Sequence, residues 1–271
     1  MHIFHRAPVL FLFLLVPLLT LNAQGEKEGG SKDSSSLGWG LSIGVYFPAG
    51  NSASFYEGRD PEYGVQRLFQ VQQFYRRIKK KLKYDFELAE LPDKMSYNTA
   101  FIGGLNGSWE FRDGNYLDVE FLFTKLALAD KFTILVHDPS ALNQERFETY
   151  NISGQERRFL LPIAYRYEWG KGPFLPFLRL GGTVGWAEAK QNRITIEGQE
   201  FSILPSDHPR YGNPKEQKGM ILGGHAELGL KVATGSDWDL GLAGVISYDR
   251  VAIGNEPGFA LEQSILLRLM R

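Results

Sequence analysis

Hydrophobic and polar residues alternate along most of the 271-residue chain, over stretches longer than ordinary globular strands. In the first stretch, Leu41 and Ile43 share one face and Ser42 lies on the other. A period of two is the pattern of a β-strand with one apolar and one polar face. Eight stretches show it, with approximate bounds 38–48, 95–111, 115–134, 147–169, 173–190, 218–234, 237–252 and 259–271.

The connections between these stretches alternate in length. Those after the second, fourth and sixth stretches are RDGN, GKGP and TGSD, whose Gly, Asn, Asp and Pro residues favour tight hairpins. The others are long and cover about 49–94, 135–146, 191–217 and 253–258. Short turns at one end and long loops at the other are typical of bacterial outer-membrane barrels. The pattern predicts an all-β, eight-stranded antiparallel up-and-down barrel.

The tryptophans indicate which face of the barrel is outside. The alternation places all five on the apolar face, near the ends of predicted strands. Tryptophan is enriched at the two interfaces of a bilayer because its ring is apolar and its N–H is polar. In a soluble ligand-binding barrel, no such interface would place tryptophans at the strand ends. The sequence therefore predicts a transmembrane barrel with an aromatic belt of Trp39, Trp109, Trp169, Trp186 and Trp238.

With lipid outside, the polar face becomes the lumen. An eight-stranded barrel has an interior just wide enough for side chains, and an unpaired charge there costs several kcal/mol. Nearly equal numbers of acids and bases therefore predict a cross-linked polar plug and not an open pore. The predicted lumen network is Asp118, Glu120, Glu168, Glu227, Asp239 and Glu262 with Arg158, Arg166, Arg179, Lys231, Arg268 and His225.

The N-terminus has the features of an export signal. A short basic start precedes the apolar stretch 9–21, and Ala23 offers a small residue for cleavage. We expect a signal peptide at 1–23, a flexible Gly/Ser-rich leader at 24–37 and the outer-membrane barrel at 38–271.

Composition excludes several classes of protein. The chain has no Cys, which removes disulfide scaffolds, thiolate zinc sites and iron–sulfur clusters. A formal net charge of -1 offers no general field for nucleic acid, so no nucleic-acid partner is expected.

The first long connection, 49–94, contains a basic amphipathic helix. Apolar residues recur at helical spacing from Val65 to Leu82. Chain direction places the helix on the extracellular side. It either caps the barrel mouth and packs its apolar face on neighbouring loops, which we favour, or contacts lipopolysaccharide phosphates or an acidic partner. The basic residues are Arg67, Arg76, Arg77, Lys79, Lys80, Lys81 and Lys83.

Signals for catalysis are weak. The histidines beyond the signal are His137, His208 and His225, and a barrel hydrolase would need one of them beside a serine and an acid. His225 and Glu227 lie two residues apart on the lumen face, as expected of a satisfied polar interior. No catalytic, cofactor-binding or metal-binding residues are predicted.

The eight alternating strands, the signal ending in Ala-Gln and the rhythm of short turns and long loops resemble the small outer-membrane β-barrel proteins of the Bacteroidetes, with an architecture similar to the OmpA and OmpX barrels. The resemblance covers 38–271 and has no signature motif. The chain ends in LLRLMR and lacks the terminal aromatic of better-known barrels.

These observations predict a non-enzymatic outer-membrane barrel with a structural, binding or envelope-complex accessory role, exercised through its long extracellular loops. Its expected partners are outer-membrane lipid, including lipopolysaccharide, and an envelope protein. The alternatives are a barrel enzyme that hydrolyses lipid or peptide at the outer rim, and a soluble ligand-binding barrel.

Overall fold

The computed structural model describes residues 36–61, 64–140, 145–203, 218–235, 237–253 and 258–271. The predicted signal peptide and nearly all of the predicted leader lie outside these ranges. The first strand begins at Ser36, two residues earlier than expected.

Ten strands and three short helices make up the described chain. The helices are a 3-10 helix at Asn51–Tyr56, α1 at Val65–Gln70 and α2 at Gln72–Leu82. The strands are β1 Ser36–Phe47, β2 Asp85–Glu90, β3 Ala100–Arg112, β4 Asn115–His137, β5 Arg146–Glu168, β6 Phe174–Ile196, β7 Gln199–Ser202, β8 Lys218–Val232, β9 Asp239–Val251 and β10 Phe259–Met270.

Eight of these strands close into a barrel. Each pairs antiparallel with its neighbours in the order β1, β3, β4, β5, β6, β8, β9, β10. Closure is made by β1 and β10, with Gly40 opposite Met270 and Phe47 opposite Gln263. The predicted eight-stranded antiparallel up-and-down barrel is confirmed.

Glycine forms the tight turns where the sequence predicted them. β3 and β4 are joined by Asp113 and Gly114, and Gly114 has a positive φ of 69° that side chains rarely adopt. Gly170, Gly172 and Gly235 have the same sign of φ in the other two turns. Because all three turns lie at one end, the long connections share the other end.

Strands β4, β5 and β6 are 23 residues each and extend past the barrel at the end with the long connections. β2 pairs with the far end of β4, and β7 pairs with the far end of β6. These strand ends, with β2, β7 and the three helices, form what we call the cap.

A β-bulge on β6 explains why the end of this strand was missed. Gln155 pairs with Gln191 and Glu156 pairs with Ala189, which leaves Lys190 as the extra residue. Buried positions on β6 then switch from odd numbers to even ones. A prediction based on strict alternation therefore fails beyond residue 190, which is where the fifth predicted stretch ended.

The structure divides the predicted helix in two at Val71. This residue has an extended backbone, with φ −75° and ψ 110°, between α1 and α2. The break allows Phe69 and Tyr75 to pack on the same ring of β2, with centroids 5.0 and 4.8 Å from that of Phe86.

The molecule has two different interiors. In the cap, apolar side chains of the helices and the strand ends form a conventional hydrophobic core that includes Val65, Ile78, Ile134 and Ile194. In the barrel, the inward side chains are mostly polar and the outward ones apolar. No helix among the described residues is long and apolar enough to cross a membrane.

Candidate functional site

The outer wall of the barrel is apolar around its circumference. Phe101 on β3 is 68% exposed, Leu180 on β6 is 52% exposed and Leu242 on β9 is 57% exposed. Proteins that stay in water rarely expose an apolar surface of this extent. The wall therefore needs an apolar environment.

The tryptophans lie at both rims of this wall. Trp39, Trp109 and Trp169 are exposed beside the short turns, where Trp238 is half-buried and meets Trp39 edge-on at 5.2 Å. Trp186 is exposed at the opposite rim and stacks on Phe159, with ring centroids 4.7 Å apart. Trp169 directly follows β5, and the ten residue steps from Phe159 to Trp169 span about 25 Å along the axis of a barrel whose strands tilt by about 40°.

The bore contains the predicted lumen residues. Eleven of the twelve are buried. Asp239 is partly exposed at the mouth beside the short turns, where it lines a cavity of about 220 Å³ with Arg166 and Lys231. The eleven buried residues are Asp118, Glu120, Arg158, Arg166, Glu168, Arg179, His225, Glu227, Lys231, Glu262 and Arg268.

Two arginines and two glutamates meet at the centre of the bore. Arg268 Nε donates to Glu120 Oε1 at 2.6 Å, and its terminal nitrogens bond both oxygens of Glu227. Arg179 Nη1 lies 3.1 Å from Glu120 and 3.0 Å from Glu227. Each cation therefore faces both carboxylates, which is how charges are retained away from bulk water.

A second group of charges fills the end near the short turns. Arg166 lies 3.0 Å from Asp118 and 2.6 Å from Glu168, and Lys231 also pairs with Glu168. The guanidinium stacks 4.2 Å above the ring of Tyr116, a favourable cation–π distance.

Arg158 anchors the end of the bore beneath the cap. It is completely buried and pairs with Glu156 at 2.6 Å and with Glu262 at 2.7 Å. Its remaining donors reach Tyr46 Oη and Ser52 Oγ, both at 2.8 Å. Since Ser52 belongs to the 3-10 helix, this arginine ties the bore to the cap.

The cap and the segment before β3 fill the mouth of the barrel at the end with the long connections. Tyr97 in this segment is buried, and its hydroxyl donates to Glu156 at 2.5 Å. The sequence had placed 95–99 in a strand, but the strand begins at Ala100 and this segment enters the mouth instead. Tyr56 packs its ring against Gly154, where a Cβ would lie only 2.1 Å from the ring.

Sequence reasoning missed two buried acids of the bore, Glu156 and Asp249. Both have the inward parity of their strands, so alternation would have identified them. With them, the described barrel strands bury seven acids and five Lys or Arg residues. Asp249 shares a cavity of about 40 Å³ with His225, and Asp249 Oδ1 and His225 Nε2 have no hydrogen-bond partner in the described part of the chain.

The structure does not gather a catalytic group around any described histidine. His225 Nδ1 lies 3.1 Å from Thr183 Oγ1 in the bore, and His137 lies 3.8 Å from Glu87 at the end of β4. His208 lies outside the described residues. No cluster of three or more His, Asp or Glu side chains suitable for a metal ion occurs in the described ranges.

The basic helix lies on the outer surface of the cap, with Ile78 and Leu82 buried beneath it. Lys79 pairs with Asp85 at 2.5 Å, and this hydrogen bond lowers the pKa of the Asp85 carboxyl and raises the pKa of Lys79. The other six cations of the set are exposed: Arg67, Arg76, Arg77, Lys80, Lys81 and Lys83.

No family model and no curated protein matches the chain. The solved structures to which the chain is similar include the following two. Neisserial surface protein A (NspA) is 8% identical with a TM-score of 0.38, over 88% of this chain and 97% of that one. Ail, the attachment invasion locus protein of Yersinia pestis, solved in complex with the heparin analogue sucrose octasulfate, is 10% identical with a TM-score of 0.34, over 86% and 97% of the two chains. Scores this low carry no weight for function, and the barrel stands on its own closed strand pairing.

Proposed function

We propose that this protein is a non-enzymatic barrel of the bacterial outer membrane, which presents the cap outside the membrane for a structural, binding or accessory role in the envelope. One observation carries the proposal. The barrel is inverted relative to a soluble one, with bonded charges in its bore and exposed apolar side chains on its wall.

The dimensions of the wall support a membrane location. The band between Phe159 and Trp169 is about 25 Å tall, which is the height of the apolar band of outer-membrane barrels. The tryptophans at its two rims suit the two bilayer interfaces, because the apolar ring contacts lipid while its N–H bonds water or headgroups. Export through a signal peptide at 1–23 completes the proposal.

The contents of the bore support a closed barrel. The central network of Arg179, Arg268, Glu120 and Glu227 occupies the middle, and Ser52 and Tyr97 occupy the upper mouth. A protein closed in this way transports little through its bore, so we assign its work to the cap.

The basic helix supports a contact with an anionic partner. Its apolar side is buried in the cap core, while the helix and the residues beside it expose six cations. We propose that these cations face lipopolysaccharide phosphates or an acidic envelope protein.

Membrane fractionation with heat-modifiable gel mobility tests the location. We expect the protein in the outer-membrane fraction, migrating faster unheated than boiled because the barrel stays folded in the gel. Recovery in the soluble fraction would contradict the membrane proposal and favour a soluble barrel.

Co-purification from native membranes tests the role of the cap. We expect an anionic partner that is released by salt and is lost when Arg76, Arg77, Lys80 and Lys81 are all changed to Gln. Partner recovery that is independent of both salt and these changes would contradict the assigned contact.

A further inference from the structure

Two successive rows of side chains cross the outer wall at the rim nearest the cap. Phe123, Phe159 and Trp186 lie directly opposite one another on β4, β5 and β6, and we call them the aromatic row. Two residues further towards the cap on each strand, the outward positions become charged. The basic row consists of Lys125, Arg157 and Lys218, with Glu188 between the last two.

The basic row contains a like-charged cross-strand pair. Lys125 lies directly opposite Arg157. Facing residues of an antiparallel pair have Cβ atoms about 5 Å apart, and like charges at that separation destabilise the sheet. Both side chains are exposed, and neither forms an ion pair with another residue that the structure describes.

The one acid in the row does not neutralise this pair. Glu188 is already engaged by Lys190 at 2.6 Å and by Lys218 at 3.5 Å. The row with Lys190 therefore has four cations and one carboxylate, and Glu188 cannot balance all of its positive charge. An external anion would turn this local repulsion into attraction.

The order of side chains along the wall specifies the kind of anion. Apolar residues such as Phe121 and Leu161 come first, then the aromatic row, then the cations. An anionic lipid has the same order, with acyl chains in the apolar band, a glycerol or sugar region at the interface and phosphate beyond it. A soluble acidic protein would have no use for the aromatic row beside the charges.

We propose that Lys125 and Arg157 bind the phosphate of an anionic lipid in the adjacent leaflet, whose acyl chains lie along the aromatic row. This inference rests on the proposed membrane location. Arg157 offers two parallel N–H donors to phosphate oxygens, and Lys125 adds a mobile charge from the facing strand. The site is separate from the basic helix, which lies on the cap.

The test uses the mature protein inserted in phosphatidylcholine nanodiscs that also contain lipid A with both its phosphates. Native mass spectrometry after gentle release counts the lipids that stay bound. We expect preferential retention of lipid A by the unaltered chain, and a fall of about tenfold or more when Lys125→Gln and Arg157→Gln are combined.

A matched variant removes two exposed cations from the opposite rim, Arg112→Gln with Lys171→Gln. We expect it to retain lipid A like the unaltered chain. A second variant, Lys125→Glu, turns the like-charged pair into an opposite-charged one, so we expect a well-folded barrel that no longer retains lipid A.

The outcomes separate this inference from the membrane proposal. Failure of the unaltered chain to insert into any nanodisc would overturn the membrane location. Normal insertion without a preference for lipid A would overturn the lipid site alone. So would equal retention by the unaltered chain and Lys125→Glu, or an equal loss in the variant at the opposite rim.

Discussion

At the scale of single residues, parity along a strand decides the surroundings of each side chain. Arg157 and Arg158 are neighbours in sequence, yet the first is exposed on the wall and the second is completely buried in the bore. Successive side chains of a strand point to opposite faces, so one arginine lies outside the barrel and the other lies inside it. A substitution is therefore judged by its face as well as by its chemistry.

Two exposed alanines test which solvent surrounds the wall. Ala226 lies outward near the middle of β8, and Ala127 lies outward on β4 beyond the basic row. We expect Ala226→Arg to destabilise the folded protein in vesicles by about 2–4 kcal/mol because it places a charge among acyl chains. Ala127→Arg should change stability little, and urea titrations followed by heat-modifiable mobility measure both. Similar tolerance at the two positions would argue against lipid contact.

Arg158 is the residue whose loss should cost most in the bore. Arg158→Met leaves Glu156 and Glu262 facing each other without their cation, and we expect a loss of about 3–5 kcal/mol in the free energy of unfolding. Arg250→Met, at an exposed position of β9, is the control and should be close to neutral. An undisturbed Arg158→Met protein would contradict the assigned role of Arg158 as the cation that holds these two acids in the bore.

At the scale of elements, the cap and the barrel obey opposite rules. β4, β5 and β6 belong to both, and their inward positions change from charged residues in the bore to aliphatic ones in the cap. Leu126 and Leu128 are buried on the same face of β4 as Glu120. The rim of the barrel is thus the point where the chain passes from a polar interior to an apolar one.

Tyr56 and Gly154 couple the cap to the barrel. A methyl group on Gly154 would lie 2.1 Å from the buried Tyr56 ring, so we expect Gly154→Ala to displace the 3-10 helix and loosen the cap. Trypsin should then cleave the basic helix faster while the barrel stays heat-modifiable. At Gly107 the nearest atom to an added Cβ is 3.9 Å away, and Gly107→Ala should leave cleavage unchanged. Equal cleavage of both variants would mean that this contact does not hold the cap.

At the scale of the whole molecule, the ion-paired side chains in the bore and the cap at its mouth both block permeation through the barrel. The cavity at the middle of the bore offers about 40 Å³, room for a few water molecules. In planar bilayers we expect no steady conductance from the purified protein, with a channel-forming barrel as the positive control. Steady single channels would show that the bore opens.

The closed barrel and the inward or outward direction of its side chains were predictable because both depend on local signals. The alternation of apolar and polar residues shows which face of the strand each side chain is on, and glycine at a turn shows where the chain reverses direction. The bulge at Lys190 shows the limit of this reasoning, since one extra residue reversed the parity and hid the end of β6. Val71 shows another, because helical spacing alone does not reveal a break that lets two helices pack on Phe86.

Which charges meet depended instead on the three-dimensional pairing of distant strands. Arg268 bonds Glu120 across 148 residues of sequence. Arg158 bonds Ser52, which comes 106 residues earlier, and Glu262, which comes 104 residues later. Parity specifies that these side chains enter the bore but not at what height they lie, because height follows from register and closure around the barrel. The same register, and no local pattern, brings Lys125 opposite Arg157.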